Sequence, residues 1–159
     1  MITFASKLDS VNNSIYYILA VCAGLAIATQ TGVNAQLRTA VGNPVIAALI
    51  SFLVGSFALI MYVLFFQRET LGGISNLGNL SWHKWTGGLI GALYVSGVII
   101  IAPRIGAANT TGLIVAGQIL FALFLDHFGL LGFIPHTFNT MRLAGAFLLI
   151  AGVFLILKN

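Results

Sequence analysis

Charged residues are scarce in this chain. Lys, Arg, Asp and Glu make up 6% of its 159 residues, whereas hydrophobic residues make up 59% and the mean hydropathy is +1.05. A soluble domain carries roughly 25% charged residues, so this chain lacks the groups that would cover a water-facing surface. The composition therefore predicts a membrane protein and argues against a soluble domain.

The chain has a single cysteine and lacks basic clusters and metal-ligand patterns, and each of these features excludes a class of function. The single Cys22 lies in an apolar run and is interpreted as a packing residue. Seven Lys and Arg residues are scattered singly, without the basic stripe typical of nucleic-acid binding. His83, His127 and His136 have no metal-ligand spacing, and no serine has the context of a catalytic nucleophile. We therefore expect no enzyme activity, cofactor, metal or nucleic-acid partner.

Five apolar segments are long enough to cross a hydrocarbon core of about 30 Å. Interfacial aromatic residues and chain-breaking Gly and Pro residues separate them. The predicted spans are 14–37, 44–66, 86–102, 109–125 and 141–157. The sequence thus predicts an all-α membrane protein with five transmembrane helices, which form a single transmembrane domain over residues 1–159.

Individual residues predict where some of these helices begin and end. Pro44 suits the first position of a helix. Pro103 and Arg104 are expected to end the third span. The fourth span is expected to be capped by three polar residues, Asn109, Thr110 and Thr111.

Small residues at four-residue spacing predict close helix packing in two spans. Gly87 and Gly91 form a GxxxG pair in the third span, where no strand precedes them and a phosphate-binding loop is not indicated. The first span repeats this spacing at four positions: Ala20, Gly24, Ala28 and Gly32. We expect these glycines to lie at helix-packing contacts.

A few polar side chains within the spans are the candidate substrate-binding residues. Gln30, Asn34 and Arg38 recur on one face of the first span, and Gln118 lies in the fourth. Tyr94 in the third span either supplies a phenol to the same cavity or packs in the core. An amide in hydrocarbon is costly unless it has a partner or faces a wet cavity. These amides therefore either join helices by hydrogen bonds or line a substrate path, with Gln118 as the leading binding candidate.

Charged residues that border the spans are candidates for a charge relay or gate. Asp126 either relays a proton or cation, or pairs with a boundary arginine, Arg104 or Arg142, and holds a helix end. Arg38 and Arg104 either draw in an anionic substrate or lie among lipid headgroups.

The basic residues are distributed almost evenly across the membrane. Five spans place the two ends of the chain on opposite sides, with four Lys and Arg residues on one side and three on the other. The two sets are Lys7, Arg68, Lys84 and Arg142, and Arg38, Arg104 and Lys158. Because an excess of Lys and Arg sets membrane orientation, either the protein inserts both ways or its bias is too weak to read. Dual insertion would let it pair head to tail, and we expect an antiparallel homodimer.

Three segments resemble a known family: Thr31–Gly55, Ala102–Gly132 and Met141–Ile156, of which the GQ…DHFG run in the second is the most specific part. They are similar to the YdcZ-type family, five-span, half-size members of the drug/metabolite transporter superfamily. The resemblance implies a bacterial inner-membrane protein that acts as an antiparallel homodimer or a paired heterodimer. The first span lacks the glutamate of the small multidrug-resistance relatives, so their proton-exchange mechanism is not carried over.

These observations predict a small-molecule or metabolite transporter of the bacterial cytoplasmic (inner) membrane. It would be a dual-topology homodimer that works by alternating access. An alternative is a non-transporting, helix-packing subunit that assembles with a membrane partner. The expected partners are the lipid bilayer, a second copy or a related, oppositely oriented subunit, and a small-molecule substrate.

Overall fold

The computed structural model describes residues 4–69, 71–72, 78 and 80–158, with side chains from Ser14 onward. Within these ranges the chain forms five α-helices and no strand. The helices are α1 (Phe4–Val41), α2 (Pro44–Phe66), α3 (Thr86–Ile105), α4 (Ala107–Phe128) and α5 (Thr140–Lys158). The side chain of Lys7, which enters the predicted charge balance, lies outside the described residues.

Every one of the five helices in the described ranges contains a stretch long and apolar enough to cross a membrane. The prediction of an all-α protein with five transmembrane helices is therefore confirmed. The membrane-spanning stretches are Ser14–Val41, Pro44–Phe66, Trp82–Ile105, Ala107–Phe128 and Thr140–Lys158. The third stretch begins earlier than predicted because a short 3₁₀ helix, Trp82–Trp85, leads directly into α3. The prediction of a single transmembrane domain stays a prediction.

The start of α2 follows the predicted pattern. Pro44 occupies the first helical position, where its missing N–H removes no intrahelical bond. The Asn43 side chain accepts hydrogen bonds from the backbone N–H groups of Val45 and Ile46, at 2.8 and 3.1 Å. This cap satisfies two of the backbone donors that every helix start leaves unpaired.

The predicted end of α3 is wrong. The helix continues through Pro103 and Arg104 and ends at Ile105. Proline removes one backbone donor and so weakens a helix, but a helix can continue where another group satisfies the freed carbonyl. The sequence pattern around Pro103 cannot reveal such a donor if it comes from a distant part of the chain.

The predicted start of α4 is also wrong. The helix begins at Ala107 behind Gly106, whose φ of 87° lies in the region that favours glycine. The Thr110 hydroxyl donates to the Gly106 carbonyl at 2.7 Å, and Thr110 is buried within the first turn. Its side chain therefore bonds back along the helix, and neither Asn109 nor Thr111 provides the cap.

The packing divides the chain into two compact units, Met1–Ile100 and Ile101–Asn159. In the first unit, Ala47, Ala48 and Ile99 form a buried core. Leu37, Val41 and Val95 pack against this core. Two consecutive alanines near the start of α2 leave room for close packing of the larger side chains.

In the second unit α4 packs along α5. Gly112 lies against Val153, because a Cβ added to Gly112 would be 3.5 Å from both Val153 methyl carbons. Ala116 and Ala146 are also buried in this unit. Small residues thus allow the two helix backbones to approach closely.

The glycines predicted to pack helices fall into two groups. Gly91 lies near α2, since an added Cβ would be 3.8 Å from the Phe52 ring. At Gly24, Gly32 and Gly87 an added Cβ would meet no atom of the described residues within 4 Å. Close helix packing at these three positions stays a prediction.

Candidate functional site

Three of the predicted binding residues come together in the first unit. Gln30 and Asn34 from α1 and Tyr94 from α3 line one small pocket of about 10 Å³. The rest of its lining is Ile27, Thr31, Val95 and Val98. We call this space the polar pocket, because its hydrogen-bonding side chains lie within two apolar helices.

Asn34 is the most deeply buried polar side chain of the polar pocket. It is 4% exposed, whereas Tyr94 is 37% exposed. The Asn34 side-chain amide borders the void of the polar pocket. An amide that borders a void in this way can donate to and accept from a molecule that enters it.

Thr31 contributes an acceptor to the same pocket. Its hydroxyl donates to the Ile27 carbonyl at 3.0 Å, one turn earlier on α1. The hydroxyl proton is therefore in use, while an oxygen lone pair remains available. Together with the Gln30 and Asn34 amides and the Tyr94 phenol, the pocket offers donors and acceptors and carries no formal charge.

A larger cleft of about 240 Å³ lies between α1 and α2. Its polar lining is Gln30, Ser51 and Ser56, and its other lining residues are Phe52, Gly55 and Leu59. Gln30 thus borders both the cleft and the polar pocket. The polar residues of the two spaces form what we call the polar track: Gln30, Thr31, Asn34, Ser51, Ser56 and Tyr94.

The sequence does not predict three members of the polar track, Thr31, Ser51 and Ser56. A hydroxyl can bond back to its own helix, so an isolated Ser or Thr in an apolar span is a weak signal. The only available hint was that Ser51 and Ser56 are the two serines of an otherwise apolar α2. Their approach to Gln30 is a product of helix packing.

Gln118 lies on α4 in the second unit, and its side chain is exposed there. The lining of the polar pocket includes Gln30, Asn34 and Tyr94 but not Gln118. Its predicted role in substrate binding stays a prediction.

The candidate gate residues have different surroundings. Arg38 is partly buried, and its guanidinium donates to the Ile99 backbone carbonyl at 3.1 Å. Arg104 is exposed. Asp126 forms an ion pair with Arg142, with 3.4 Å between the carboxylate Oδ2 and the guanidinium Nη1. These two side chains are 30% and 34% exposed, respectively.

The connection between α4 and α5 folds around Asp126. Its backbone carbonyl accepts a hydrogen bond from the His136 N–H at 2.8 Å. The neighbouring His127 stacks on Phe138 with ring centroids 4.2 Å apart, and its Nδ1 accepts from the Phe138 N–H at 3.2 Å. The Asp126–Arg142 ion pair therefore belongs to a folded turn that joins two helix ends.

Another cleft, of about 490 Å³, lies between α4 and α5 in the second unit. Thr111 is its one polar lining side chain, and Leu148, Leu149, Val153 and Ile156 are typical of the rest. Such a surface suits lipid chains or another apolar helix better than a polar solute.

The fold and the polar track define a class: a multi-pass membrane protein with hydrogen-bonding groups inside its apolar helices. The chain belongs to the family described as "Putative inner membrane exporter, YdcZ", which matches residues 15–155. It is 27% identical over 148 residues to "Inner membrane protein YdcZ" of Escherichia coli (strain K12), a match that covers 93% of this chain and 98% of that protein. No solved structure matches the chain.

These comparisons confirm the family resemblance seen in the sequence. They also confirm the predicted location, because family membership and five apolar helices together indicate a multi-pass protein of the bacterial inner membrane. Its helices are therefore in contact with lipid. The family description is that of a transporter rather than an enzyme.

Proposed function

We propose that this protein exports a small, uncharged polar metabolite across the bacterial inner membrane. The family description as an inner membrane exporter supports the transport role. The observation that carries the proposal is the polar track, in which amide, hydroxyl and phenol groups from three membrane helices line two spaces that share Gln30. Because none of these groups carries a formal charge at neutral pH, they suit a neutral hydrogen-bonding solute.

The two spaces of the polar track differ greatly in size, which supports alternating access. The α1–α2 cleft, at about 240 Å³, has room for a small solute. The polar pocket, at about 10 Å³, has room for roughly one water molecule. In this proposal Gln30 passes the solute from the cleft to the pocket, and transport requires α1 and α3 to separate around Asn34 and Tyr94.

The proposed transporter is an antiparallel homodimer of subunits inserted in both orientations. The four-to-three division of Lys and Arg between the two sides supports dual insertion. Open space at Gly24, Gly32 and Gly87 is consistent with packing against a second copy. Gln118 is proposed to contribute to substrate binding, and Asp126, Arg38 and Arg104 to act as charge relay or gate.

Export can be tested through the Asn34 amide. Asn34→Leu keeps the side-chain size but removes the hydrogen-bonding group from the polar pocket. In cells that express the wild type, the culture medium should gain an uncharged polar compound, measured by untargeted mass spectrometry. Asn34→Leu should reduce that export about tenfold, which corresponds to about 1.4 kcal/mol of lost interaction.

A matched control is Val33→Leu, one residue away on an exposed part of α1, which should leave export unchanged. If no compound depends on the wild type and the purified protein is unstable without another membrane protein, the alternative of a helix-packing subunit is correct. If Asn34→Leu exports as well as the wild type, the polar pocket is not the substrate site.

A further inference from the structure

Pro103 removes a backbone donor from the interior of α3. In an α-helix the N–H of residue 103 would donate to the carbonyl of Ile99, but proline has no N–H. Ile99 is fully buried, with 0% exposure, so bulk water cannot replace the missing donor. A carbonyl without a partner is especially unfavourable within a membrane-spanning helix.

Arg38 supplies a replacement donor from another helix. Its guanidinium Nη1 lies 3.1 Å from the Ile99 carbonyl oxygen, across 61 residues of sequence. A hydrogen bond from a charged donor is stronger than one between neutral groups. The bond therefore joins α1 to the one carbonyl of α3 that Pro103 deprives of its usual partner.

This hydrogen bond lies next to the polar pocket. On α1, Arg38 follows Asn34 by four residues, about one helical turn. On α3, Ile99 directly follows Val98, which lines the pocket together with Tyr94. A bond at this level holds together the same two helices that form the pocket walls.

We propose that Arg38 is a positioning residue that caps the Ile99 carbonyl freed by Pro103 and thereby holds the polar pocket closed. Release of this bond allows α1 and α3 to separate. The consequence for transport rests on the proposed function, whereas the capping role stands on the hydrogen bond alone. Arg38, a predicted gate residue, thereby has a specific physical role.

The capping role makes Arg38 and Pro103 energetically dependent on each other. Pro103→Ala restores an N–H that can donate to the Ile99 carbonyl, so it should make the Arg38 bond redundant. Arg38→Met keeps much of the side-chain length but removes the donor. In detergent, followed by tryptophan fluorescence, Arg38→Met should lower Tm by about 5 °C in the wild-type background. In the Pro103→Ala background, Arg38→Met should lower Tm by less than half of its effect in the wild-type background.

Arg104→Gln is the matched control, because it removes an exposed cation next to Pro103. Arg104→Gln should change Tm only slightly, and by the same amount in the wild-type and Pro103→Ala backgrounds. If Arg38→Met proves too unstable to purify, the thiol-reactivity measurement described next, made in isolated membranes, replaces the Tm comparison. An equal loss from the Arg38 variant in both backgrounds would overturn the proposal, because Arg38 would then act on lipid or substrate instead.

A second measurement tests whether the polar pocket opens, through the rate at which a cysteine at position 34 reacts with a thiol reagent. In a Cys22→Ala background, Asn34→Cys is treated with a charged, water-soluble methanethiosulfonate reagent. Arg38→Met should accelerate the reaction several-fold, and Pro103→Ala should restore the slow rate. Unchanged reactivity in Arg38→Met would refute the positioning role. If both readouts behave as expected but no compound is exported by the wild type, the capping role stands and the proposed export function fails.

Discussion

At the scale of single residues, Gly129 combines a constrained backbone conformation with a close packing contact. It ends α4 in the left-handed conformation, with φ at 61°. A Cβ added there would lie 2.7 Å from Pro135 Cγ. Gly129→Ala should therefore destabilise the protein by about 1–3 kcal/mol, through left-handed strain plus the clash with Pro135. Thermal unfolding in detergent measures this loss.

Gly132 allows the left-handed strain to be measured without the clash with Pro135. Its φ is 87°, but an added Cβ would meet nothing within 4 Å among the described residues. Gly132→Ala should consequently lose only the strain contribution and unfold at a higher temperature than Gly129→Ala. Equal losses at both positions would show that the contact with Pro135 has no energetic effect.

Asp126 and Arg142 provide a second prediction at this scale. Their 3.4 Å ion pair is about one-third exposed, so its contribution should not exceed about 1 kcal/mol. If the pair only holds the helix ends, Asp126→Asn and Arg142→Gln should each lower Tm slightly, and the double variant should lose little more than either one. Thermal unfolding of the three variants measures the coupling.

Measurements of export distinguish this structural role of Asp126 from a role as a charge relay. A relay requires the Asp126 carboxylate itself, so Asp126→Asn would abolish export while Arg142→Gln retained it. If the two single variants behave alike, the pair holds the turn between α4 and α5. A selective loss in Asp126→Asn would instead support the relay.

At the scale of helices, the start of α2 depends on one side chain. Asn43 accepts from two backbone N–H groups, those of Val45 and Ile46. Asn43→Ala should destabilise the protein by about 1 kcal/mol, because both donors lose their partner. Asn43→Asp keeps the acceptor and serves as the control. Equal Tm values for Asn43→Ala and the wild type would contradict the capping role.

Helix ends also show where local sequence rules succeed and fail. Asn43 and Pro44 act within one turn of the chain, and the predicted start of α2 was confirmed. The end of α3 was mispredicted because α3 runs on through Pro103 to Ile105. We attribute its continuation to Arg38, which lies 61 residues from Ile99 in sequence. A rule that reads only neighbouring residues cannot anticipate such a distant donor.

At the scale of the whole molecule, the near-even charge distribution makes a prediction about topology. In a Cys22→Ala background, Phe4→Cys and Asn159→Cys are labelled separately in intact cells with an impermeant thiol reagent. Because Lys and Arg hardly favour either side, each position should label to about half. Labelling at only one position would show a fixed orientation and point to a separate, oppositely oriented partner.

Added charge provides the control for this experiment. Three lysines inserted after Gln67 place an excess of positive charge on the side of the N-terminus. The positive-inside rule then requires that side to be cytoplasmic. Labelling of Phe4→Cys should disappear and that of Asn159→Cys should become complete. No change would mean that loop charge does not set the orientation of this protein.

The order of residues in the chain is enough to establish the class of protein, its five membrane helices and its family. These depend on apolar length, scarce charge and local motifs, all of which are properties of the chain read in order. It also singled out Gln30, Asn34 and Tyr94, because polar groups are costly in hydrocarbon wherever the helices pack. Helix packing is what brings these three residues to one pocket, places Ser51 and Ser56 in a cleft that Gln30 also lines, and bonds Arg38 to Ile99. Those contacts depend on the rotation and spacing of packed helices, which the hydrophobic pattern of one helix does not specify.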